Sequence, residues 1–395
     1  MITTLEFLLE IKTEAYRILD WWRTYAPDME YGGFYGEINQ NSAVVIQAEK
    51  GGVLNGRILW AFSNASRHFG NDKDRLLAKK AFEYIKDHFI DTKYGGSFWS
   101  LKYDGTISND RKQIYAIAFT IYGLSEYYKI NRDDGVLQLA TNLYHVIEDY
   151  SKDKNKGGYF EAFSRDWELL TDPRLSEKDR NDPKTMNTHL HIIEAYANLY
   201  AVWKDEGLRT ALKQLLDVFD HHIIDRNTNH LILFFDENWL PTSKTISYGH
   251  DIEASWLLHD CAHILGDEKI EAFWKNKALL IADAATEGLQ SDGSFIHEYD
   301  PAMDHAQTFR EWWVSAEGMV GFVNAFKISG EKKYLKRAIR LWDFIKLNLL
   351  DKQNGEWYWG TEADYSKMDR YKMGFWKCPY HNVRACLEVI ARLEK

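Results

Sequence analysis

The chain has 395 residues, 45% of them hydrophobic and 15% aromatic, which is enough for a large buried core. Its net charge of −10 and its pI of about 5.8 disfavour nucleic acid and anionic membranes as partners. No apolar run approaches the roughly 20 residues of a membrane-spanning helix. Residues 1–22 are patterned as a helix rather than as a signal peptide. We therefore expect neither nucleic acid nor a membrane among its partners.

The cysteine content indicates the redox environment. The three cysteines, Cys261, Cys378 and Cys386, are odd in number and show no C-x-x-C spacing. This pattern fits a reducing compartment and fits neither a disulfide framework nor a zinc site. We therefore expect a cytoplasmic location.

Short segments of glycine and aromatic residues recur along the chain. They lie at residues 31–36, 94–99, 157–160, 292–295 and 354–359, with a degenerate sixth at 229–235. Most are roughly 62 to 64 residues apart, and one interval is about ten residues longer. Each alternates polar and aromatic residues after a turn signal, which predicts a small β-hairpin.

Two helical patterns fill each interval between these segments. One set follows the segments, at about residues 52–70, 112–130, 185–205, 247–265, 309–329 and 376–394. The other precedes the next segment, at about residues 3–25, 74–91, 133–150, 207–225, 267–288 and 331–350. All six prolines lie in connections or at a helix start, with Pro379 suited to the first helical position, and no flexible linker divides the chain. The sequence predicts an all-α fold in which residues 1–395 form a single (α/α)6 barrel, with short β-hairpins in the loops at one mouth.

The composition of the two sets indicates which one lies inside the barrel. The first set is richer in small and apolar residues, as in residues 58–62, whereas the second carries clear polar faces, as in residues 332–340. A helix that is buried on most sides belongs inside the ring, so the first set is predicted to be inner. All inner helices then begin at the same end, beside the hairpins.

Histidines are concentrated in the first turns of these inner helices. Ser247 is a plausible N-cap, and His250 and Glu253 share a helix face three residues apart. A histidine in a first turn feels the positive end of the helix dipole, which favours the neutral ring. His191 and His381 lie in comparable first turns. The three histidines are therefore predicted to converge on one pocket.

Other residues at the same mouth suit a hydroxyl-rich ligand. Trp313 and Trp376 are candidates to stack on the apolar face of a sugar ring, although a tryptophan is more often a core residue. Arg57, in a buried helix start, needs an anionic or hydroxyl-rich partner. An ion pair with Glu253 or Glu317 would also satisfy it.

The three histidines admit two kinds of chemistry. As metal ligands they would come from separate elements, and no H-x-x-x-H or H-E-x-x-H spacing is present. Phosphate-binding loops and dinucleotide fingerprints are also absent from the sequence. Neutral histidines beside a hydroxyl-rich ligand suit general acid–base catalysis, and a nearby arginine stabilises an enediolate. We therefore expect no metal and no cofactor.

Three strings resemble the motifs of cellobiose 2-epimerases, which belong to the N-acylglucosamine 2-epimerase superfamily. They are residues 187–191 (NTHLH), 247–256 (SYGHDIEASW) and 376–382 (WKCPYHN). The chain length, the predicted barrel and the order of the motifs agree with this resemblance. It implies cofactor-independent epimerisation at C2 of the reducing-end glucose of β-1,4-linked disaccharides. Such an enzyme converts cellobiose to glucosyl-mannose and lactose to epilactose.

The resemblance also implies a role for each matched residue. His250 and His381 would be the acid/base pair that removes and returns the C2 proton on opposite faces. His191 would assist ring opening or hold the enediolate. A further group would bind the substrate: Arg57, Tyr115, Asn187, Glu253, Trp313 and Trp376. Arg57, Tyr115 and Asn187 would bind hydroxyls, and Glu253 would orient a histidine. Trp313 and Trp376 would stack on the sugars, with Trp312 an alternative to Trp313.

Other activities remain open at this point. A mannose isomerase of the same superfamily would use the same enediolate but form a ketose. A glycoside hydrolase on an α/α barrel would need two carboxylates about 5 to 9.5 Å apart, for which Glu253 and Glu317 are candidates, but it gives three histidines no role. A non-catalytic sugar-binding protein would need only the tryptophans. We expect a disaccharide substrate and a monomer or weak homodimer.

The longest charged connection is residues 164–184, between a hairpin and an inner helix. Long loops in compact domains are often lids or binding loops. The segment is predicted either to cover the second sugar in part or to be a solvated surface loop.

Overall fold

Twelve α-helices alternate between two concentric rings in residues 2–177 and 180–394, the part of the chain that the computed structural model describes. The inner helices are α2 (Gly52–Phe69), α4 (Ile114–Asn131), α6 (Met186–Tyr200), α8 (Tyr248–Ile264), α10 (Trp312–Ser329) and α12 (Tyr380–Leu393). The outer helices are α1 (Thr4–Tyr25), α3 (Asp72–Tyr84), α5 (Asp134–Val146), α7 (Glu206–Val218), α9 (Glu268–Ala284) and α11 (Lys332–Asn348). Each inner helix packs on the next, and α12 packs on α2, which closes the ring. The predicted α/α barrel is confirmed.

The burial pattern explains this division. Helix α10 is buried along most of its length, whereas α7 buries only one stripe, Leu208, Ala211, Leu212, Leu215 and Leu216. A stripe at spacings of three and four residues faces the core and leaves the opposite face to water. Within the described residues, none of the helices has the length and apolar character needed to cross a membrane.

Several helix ends differ from the prediction. Outer helices α3, α5 and α7 end in π-helical turns, at Ile85–Phe89, Ile147–Ser151 and Phe219–Ile223. Helix α12 begins at Tyr380 rather than at residue 376, because Pro379 occupies the N-cap and not the first helical position. Trp376 therefore lies in the loop ahead of the helix and not in its first turn.

The predicted hairpins are smaller than expected. Each glycine-aromatic segment is a tight loop closed by a single bridge, such as Ile90 with Ser97 and Leu350 with Trp357. The paired strands lie after these loops in the chain. The strand that precedes an inner helix pairs antiparallel with a strand of the next repeat. These pairs are Lys50–Gly51 with Ser100–Leu101, Lys112–Gln113 with Ala162–Phe163, Lys184–Thr185 with Phe234–Phe235, Ile246–Ser247 with Glu298–Asp300, and Arg310–Glu311 with Gly360–Thr361.

Two further strands extend this arrangement at the mouth. Ile107–Asn109 pairs with Ser100–Leu101, and His305–Ala306 pairs with Glu298–Asp300. A bridge between Ile38 and Met373 joins the first repeat to the last. The mouth of the barrel is therefore ringed, in the described residues, by a collar of short strands in five separate small sheets.

Buried ion pairs fasten the tight loops to this collar. Asp28 accepts the backbone N–H groups of Glu30 and Tyr31, and the Nζ of Lys50 donates to Asp28 at 2.7 Å and to the carbonyl of Gly32 at 2.9 Å. A buried lysine is tolerated only when its charge is paired and its donors are satisfied. The same pairing recurs in three other repeats: Asp91 with Lys112, Asp153 with Lys184, and Asp351 with Lys372.

Candidate active site

The N-terminal residues of all six inner helices, or the residues just before them, line one cavity of about 500 Å³ at the mouth. The structure brings together there all nine residues predicted from the sequence: Arg57, Tyr115, Asn187, His191, His250, Glu253, Trp313, Trp376 and His381. The cavity is also lined by Leu175, Ser176, Glu177, His297, Glu311, Trp312, Trp359, Arg370 and Tyr371. A volume of this size falls within the range of about 300 to 1,000 Å³ typical of small-molecule sites.

His381 is held by a carboxylate on the neighbouring helix. Its Nδ1 lies 2.7 Å from Oε1 of Glu317, and both residues are buried. A carboxylate at this position accepts the Nδ1 proton, so Nε2 carries the lone pair. Burial, followed by the charges of Arg57 and Arg384, keeps the pKa of His381 well below its usual value. His381 is thus a neutral base with a fixed tautomer.

His191 has the same arrangement within a single helix. Its Nδ1 lies 2.9 Å from Oε2 of Glu194, one turn further along α6. Burial lowers the pKa of His191 to about 4 in spite of this carboxylate. Its ring packs against Tyr115 and Phe119, with centroids 4.9 and 4.6 Å away. His189, two residues earlier, instead bonds Thr185 and Tyr159 outside the cavity.

His250 is held by a hydroxyl rather than by a carboxylate. Its Nδ1 lies 2.8 Å from Oγ of Ser247, the residue that we expected to cap α8. Ser247 does occupy the N-cap position, but its side chain makes no capping bond. A hydroxyl can donate or accept, so the bond to Ser247 persists in either tautomer of His250. Burial, followed by the nearby His297, keeps the pKa of His250 well below its usual value.

A buried arginine connects the carboxylates beneath the cavity. Arg384 donates through Nη2 to Glu253 and Glu317, each at 2.7 Å, and through Nη1 to Glu194 and the Tyr380 hydroxyl. One guanidinium thus fixes the two glutamates that hold His191 and His381. The sequence analysis did not single out Arg384, although it lies one turn after His381 on the same helix face.

The orienting role expected for Glu253 is not found. Its Oε1 accepts from Arg384 and not from a histidine. Burial and the neighbouring charge of Glu317 raise the pKa of Glu253 to about 8. Burial beside Glu317 therefore disfavours the ionised form of Glu253 in the cavity, in spite of the bond from Arg384.

The same residues form the one cluster with metal-ligand spacing in the described part of the chain. Ligand atoms of Glu253, Glu317 and His381 all lie within 4.8 Å of one another. The Arg384 guanidinium donates to both carboxylates, and Glu317 also accepts from the indole of Trp256 at 3.0 Å. A dication here would displace a guanidinium that already neutralises these oxygens, so the donor set fits a metal poorly.

Arg57 differs from Arg384 in having no carboxylate within ion-pair distance among the described residues. It is buried, donates to the Tyr115 hydroxyl at 2.9 Å and to the carbonyl of Trp376 at 3.3 Å, and leaves Nε without a partner. The ion pairs with Glu253 or Glu317 considered from the sequence are not formed. A buried guanidinium without a counter-ion is a ready partner for an anion in the cavity.

The tryptophans occupy different positions in the cavity. The ring of Trp313 lies between two histidines, with centroids 4.9 Å from His250 and 5.7 Å from His381. Trp312 also lines the cavity, but it is almost fully buried and packs on Trp359 at 4.4 Å. Trp313, which keeps more of its surface accessible, is therefore the better placed of the two to meet a ligand.

Similarity to known proteins agrees with this geometry. The model of the N-acylglucosamine 2-epimerase (GlcNAc 2-epimerase) family matches residues 33–385. The chain belongs to this family. The cellobiose 2-epimerase of Bacteroides fragilis is 47% identical over 375 residues, which are 95% of this chain and 96% of that protein. That of Ruminococcus albus is 40% identical over 378 residues, with the same coverage of 95% and 96%.

A solved structure gives the same result. The cellobiose 2-epimerase from Bacillus thermoamylovorans B4167 superposes with a TM-score of 0.94 at 38% sequence identity, covering 98% of this chain and 99% of that one. The likeness therefore extends over nearly the whole chain and includes every element that supplies the cavity.

This member of the N-acylglucosamine 2-epimerase family has cavity residues that the sequence analysis missed. His297 follows the segment at residues 292–295, Trp359 ends the segment at residues 354–359, and Arg370 and Tyr371 follow that segment. The predicted site contained residues from helix starts alone. The same reasoning, extended to the end of each segment and the residues just after it, identifies His297 and Trp359.

The charged connection also reaches the site. Leu175, Ser176 and Glu177 line the cavity, while residues 178–179 of the same segment lie outside the described residues. Hydrogen bonds from Arg111 and Gln113 to backbone carbonyls at residues 173–174 fasten the segment to the collar. The position of residues 175–177 agrees with a binding loop.

The buried histidines predict an acid-labile fold. Burial holds the pKa of four of them, His189, His191, His250 and His381, below the unfolded value of about 6.5. The unfolded chain then binds protons that the folded chain does not, so stability falls as the pH decreases from about 6.5 through the folded values. His189, whose pKa is lowered to about 4, contributes about 2 kcal/mol of this loss between pH 7 and 5.

Urea unfolding at pH 7 and pH 5 tests this expectation. His189→Gln lowers stability at both pH values, because two buried hydrogen bonds change, but it reduces the difference between them by about 2 kcal/mol. An unchanged difference would show that His189 titrates normally in the fold. His222→Gln, at an exposed histidine stacked on Trp239, is the matched control with a smaller expected effect.

Proposed function

We propose that this protein is a cellobiose 2-epimerase. It would convert the reducing-end glucose of β-1,4-linked disaccharides to mannose, turning cellobiose into glucosyl-mannose and lactose into epilactose. The observation that carries the proposal is that three neutral histidines, each with Nδ1 already bonded, line one cavity with an arginine that has no counter-ion among the described residues. These are the parts that proton transfer at a carbon beside a carbonyl requires.

The proposed reaction begins with opening of the pyranose ring, which exposes the C1 aldehyde and makes the C2 proton acidic. One histidine of the pair His250 and His381 takes that proton on Nε2, and the electron pair moves into an enediolate. The other histidine, which has taken up a proton from solvent as the negative charge develops, then donates that proton to the opposite face of C2, and the first histidine later releases its proton to solvent. The reverse reaction exchanges these roles.

The anionic intermediate needs a cation that is already in place. Arg57 supplies it, and the Tyr115 hydroxyl that it bonds lies beside His191, with ring centroids of Tyr115 and His191 4.9 Å apart. His191 is thereby placed to move a proton on the sugar oxygens during ring opening. Asn187, whose Oδ1 has no partner within the described residues, can accept from a sugar hydroxyl.

The aromatic residues suit the two sugar rings. Trp313 lies between His250 and His381 and is placed to stack on the reacting sugar. Trp376 packs against Trp99 and Phe375 at 5.9 and 5.3 Å, and we assign the second sugar to it. We also propose a cytoplasmic location and a monomer or weak homodimer, and the three free, buried cysteines support a reducing environment.

One experiment separates this proposal from the alternatives. EDTA-treated protein is incubated with cellobiose in D₂O, and the anomeric and C2 signals are followed by proton NMR. We expect glucosyl-mannose with deuterium at C2. Free glucose would instead indicate a hydrolase, and fructose from mannose with no change in cellobiose would indicate a mannose isomerase. Absence of turnover with all sugars, together with binding of cellobiose, would indicate a sugar-binding protein.

A further inference from the structure

His297 is a charged residue in a cavity whose other histidines are neutral. Its Nδ1 lies 2.8 Å from Oε2 of Glu311, and its Nε2 lies 3.2 Å from Oε1 of Glu298. Both carboxylates belong to strands of the collar, so the imidazole lies between two negative charges, and its Nδ1 approaches Glu311 at ion-pair distance without hydrogen-bond geometry. Burial alone lowers the pKa of His297, but the charges of Glu311 and Glu298 outweigh it and raise the pKa to about 10.

Glu311 connects this imidazolium to the tryptophans. Its Oε2 accepts from the indole N–H of Trp313 at 3.0 Å, and its Oε1 accepts from that of Trp359 at 2.8 Å. Burial raises the pKa of Glu311, but the charge of His297 outweighs it and lowers the pKa to about 2. Glu311 therefore stays ionised, and its two oxygens fix the orientation of both indoles.

The charged pair also faces His250 across a shared ring. The imidazoles of His250 and His297 lie on Trp313, with centroids 4.9 and 5.3 Å from it. The other groups around His250 are Ser247 and Glu253 on its own helix, His191 on α6, His381 on α12, and Glu311 before α10. A second, smaller cavity that His250 also lines adds Glu161, Arg174, Arg180, Asp182 and Glu298. Within this set, His297 is the cation that contacts the same indole as His250.

We propose that His297, held as an imidazolium by Glu311 and Glu298, is a positioning residue that keeps His250 unprotonated and orients Trp313. This inference rests on the proposed function for its kinetic consequences only. The fixed positive charge opposes protonation of His250, which supports the depressed pKa of that residue. Glu311 couples the same charge to the indole on which the reacting sugar stacks.

The first test is NMR titration of imidazole nitrogens in the ¹⁵N-histidine-labelled protein, which needs no substrate. In the unmodified protein we expect His297 to remain protonated at pH 8. In His297→Gln we expect the midpoint of His250 to rise by about one pH unit, because a nearby positive charge on the other side of Trp313 is removed. Titration of His297 near pH 6.5 in the unmodified protein would overturn the inference without any variant.

The second test uses the pH dependence of kcat/KM for cellobiose and for glucosyl-mannose. In His297→Gln we expect a lower kcat/KM at every pH and a raised KM, and for the sugar whose C2 proton His250 removes we expect an acid limb about one pH unit higher. The charge-retaining variant His297→Lys should bring the acid limb back towards that of the unmodified protein. A purely structural role would lower activity in both variants and leave the acid limb in place, which would overturn the inference.

The two proposals fail in distinguishable ways. If the unmodified protein does not epimerise cellobiose, the proposed function is wrong, but the titration of His250 and His297 still decides the inference. If the unmodified protein epimerises cellobiose and neither the His250 midpoint nor the acid limb moves in His297→Gln, the inference alone is wrong.

Discussion

Replacing His381 with asparagine is expected to abolish epimerisation while leaving proton exchange on one face of the substrate. The other histidine, His250, keeps its bond to Ser247 and can still remove and return a proton on its own side. General acid–base catalysis contributes about 10² to 10⁴ in rate, so we expect kcat for epimerisation to fall by at least the lower figure. Stability should change little, because asparagine can still bond Glu317.

The complementary variant His250→Asn tests the division of roles. In D₂O each variant should introduce deuterium at C2 of only one of the two sugars, cellobiose or glucosyl-mannose, and the two variants should differ in which sugar is labelled. Proton NMR of the C2 signals and mass spectrometry measure this directly. Labelling of both sugars by either variant would contradict a two-base mechanism and would indicate a single base acting on both faces.

His191→Asn is the control within the same cavity. Its proposed role concerns ring opening or the enediolate oxygens, so it should slow labelling of both sugars equally rather than remove one of them. Since Glu194 also bonds Tyr380 and Arg384, its carboxylate stays paired in this variant. A one-sided loss in His191→Asn would transfer one of the two base roles to His191.

The sequence predicted which residues line the cavity better than it predicted the hydrogen-bond partners of those residues. Chain periodicity identifies the inner helices, and the shared direction of those helices then brings His191, His250 and His381 to one mouth. The pairing of His191 with Glu194 was also readable, because both lie on one face of one helix. The equivalent expectation failed for His250, whose i+3 carboxylate Glu253 bonds Arg384 instead.

The expected pairing of His250 with Glu253 fails for a physical reason. Contacts within one helix follow from spacing, but contacts across the barrel depend on the rotation of each helix and on which side chains fill the axis. His381 finds Glu317 on a neighbouring helix, and Arg384 gathers carboxylates from three helices. Neither pairing has a signature in local sequence. The same holds for Trp376, placed in a loop because Pro379 delays the start of α12.

Two buried arginines in the same barrel should respond in opposite ways to replacement by methionine. Arg384 is fully buried and pairs with Glu194, Glu253 and Glu317. Arg384→Met would leave these carboxyl groups buried without their cation. Breaking a buried ion pair from one side costs about 3 to 5 kcal/mol, so we expect a large fall in the free energy of unfolding, measured with urea.

Arg57→Met should instead lose activity and keep stability. Arg57 is almost as buried, with 3% of its surface exposed, but it has no carboxylate partner in the described chain. Its removal abolishes the hydrogen bonds to Tyr115 and to the carbonyl of Trp376 but also a desolvation cost, so we expect stability within about 1 kcal/mol of the unmodified protein. Removal of a preorganised donor to a developing anion costs about 10² to 10³ in kcat.

The contrast between the two variants tests the proposed mechanism more directly than either alone. Both replace a buried guanidinium by the same flexible apolar side chain, so differences in packing are small and the difference in charge partners remains. An unpaired buried cation is unfavourable for folding and is useful only if an anion forms beside it during the reaction. Equal destabilisation by Arg57→Met and Arg384→Met would make Arg57 a structural residue and would remove the proposed stabiliser of the enediolate.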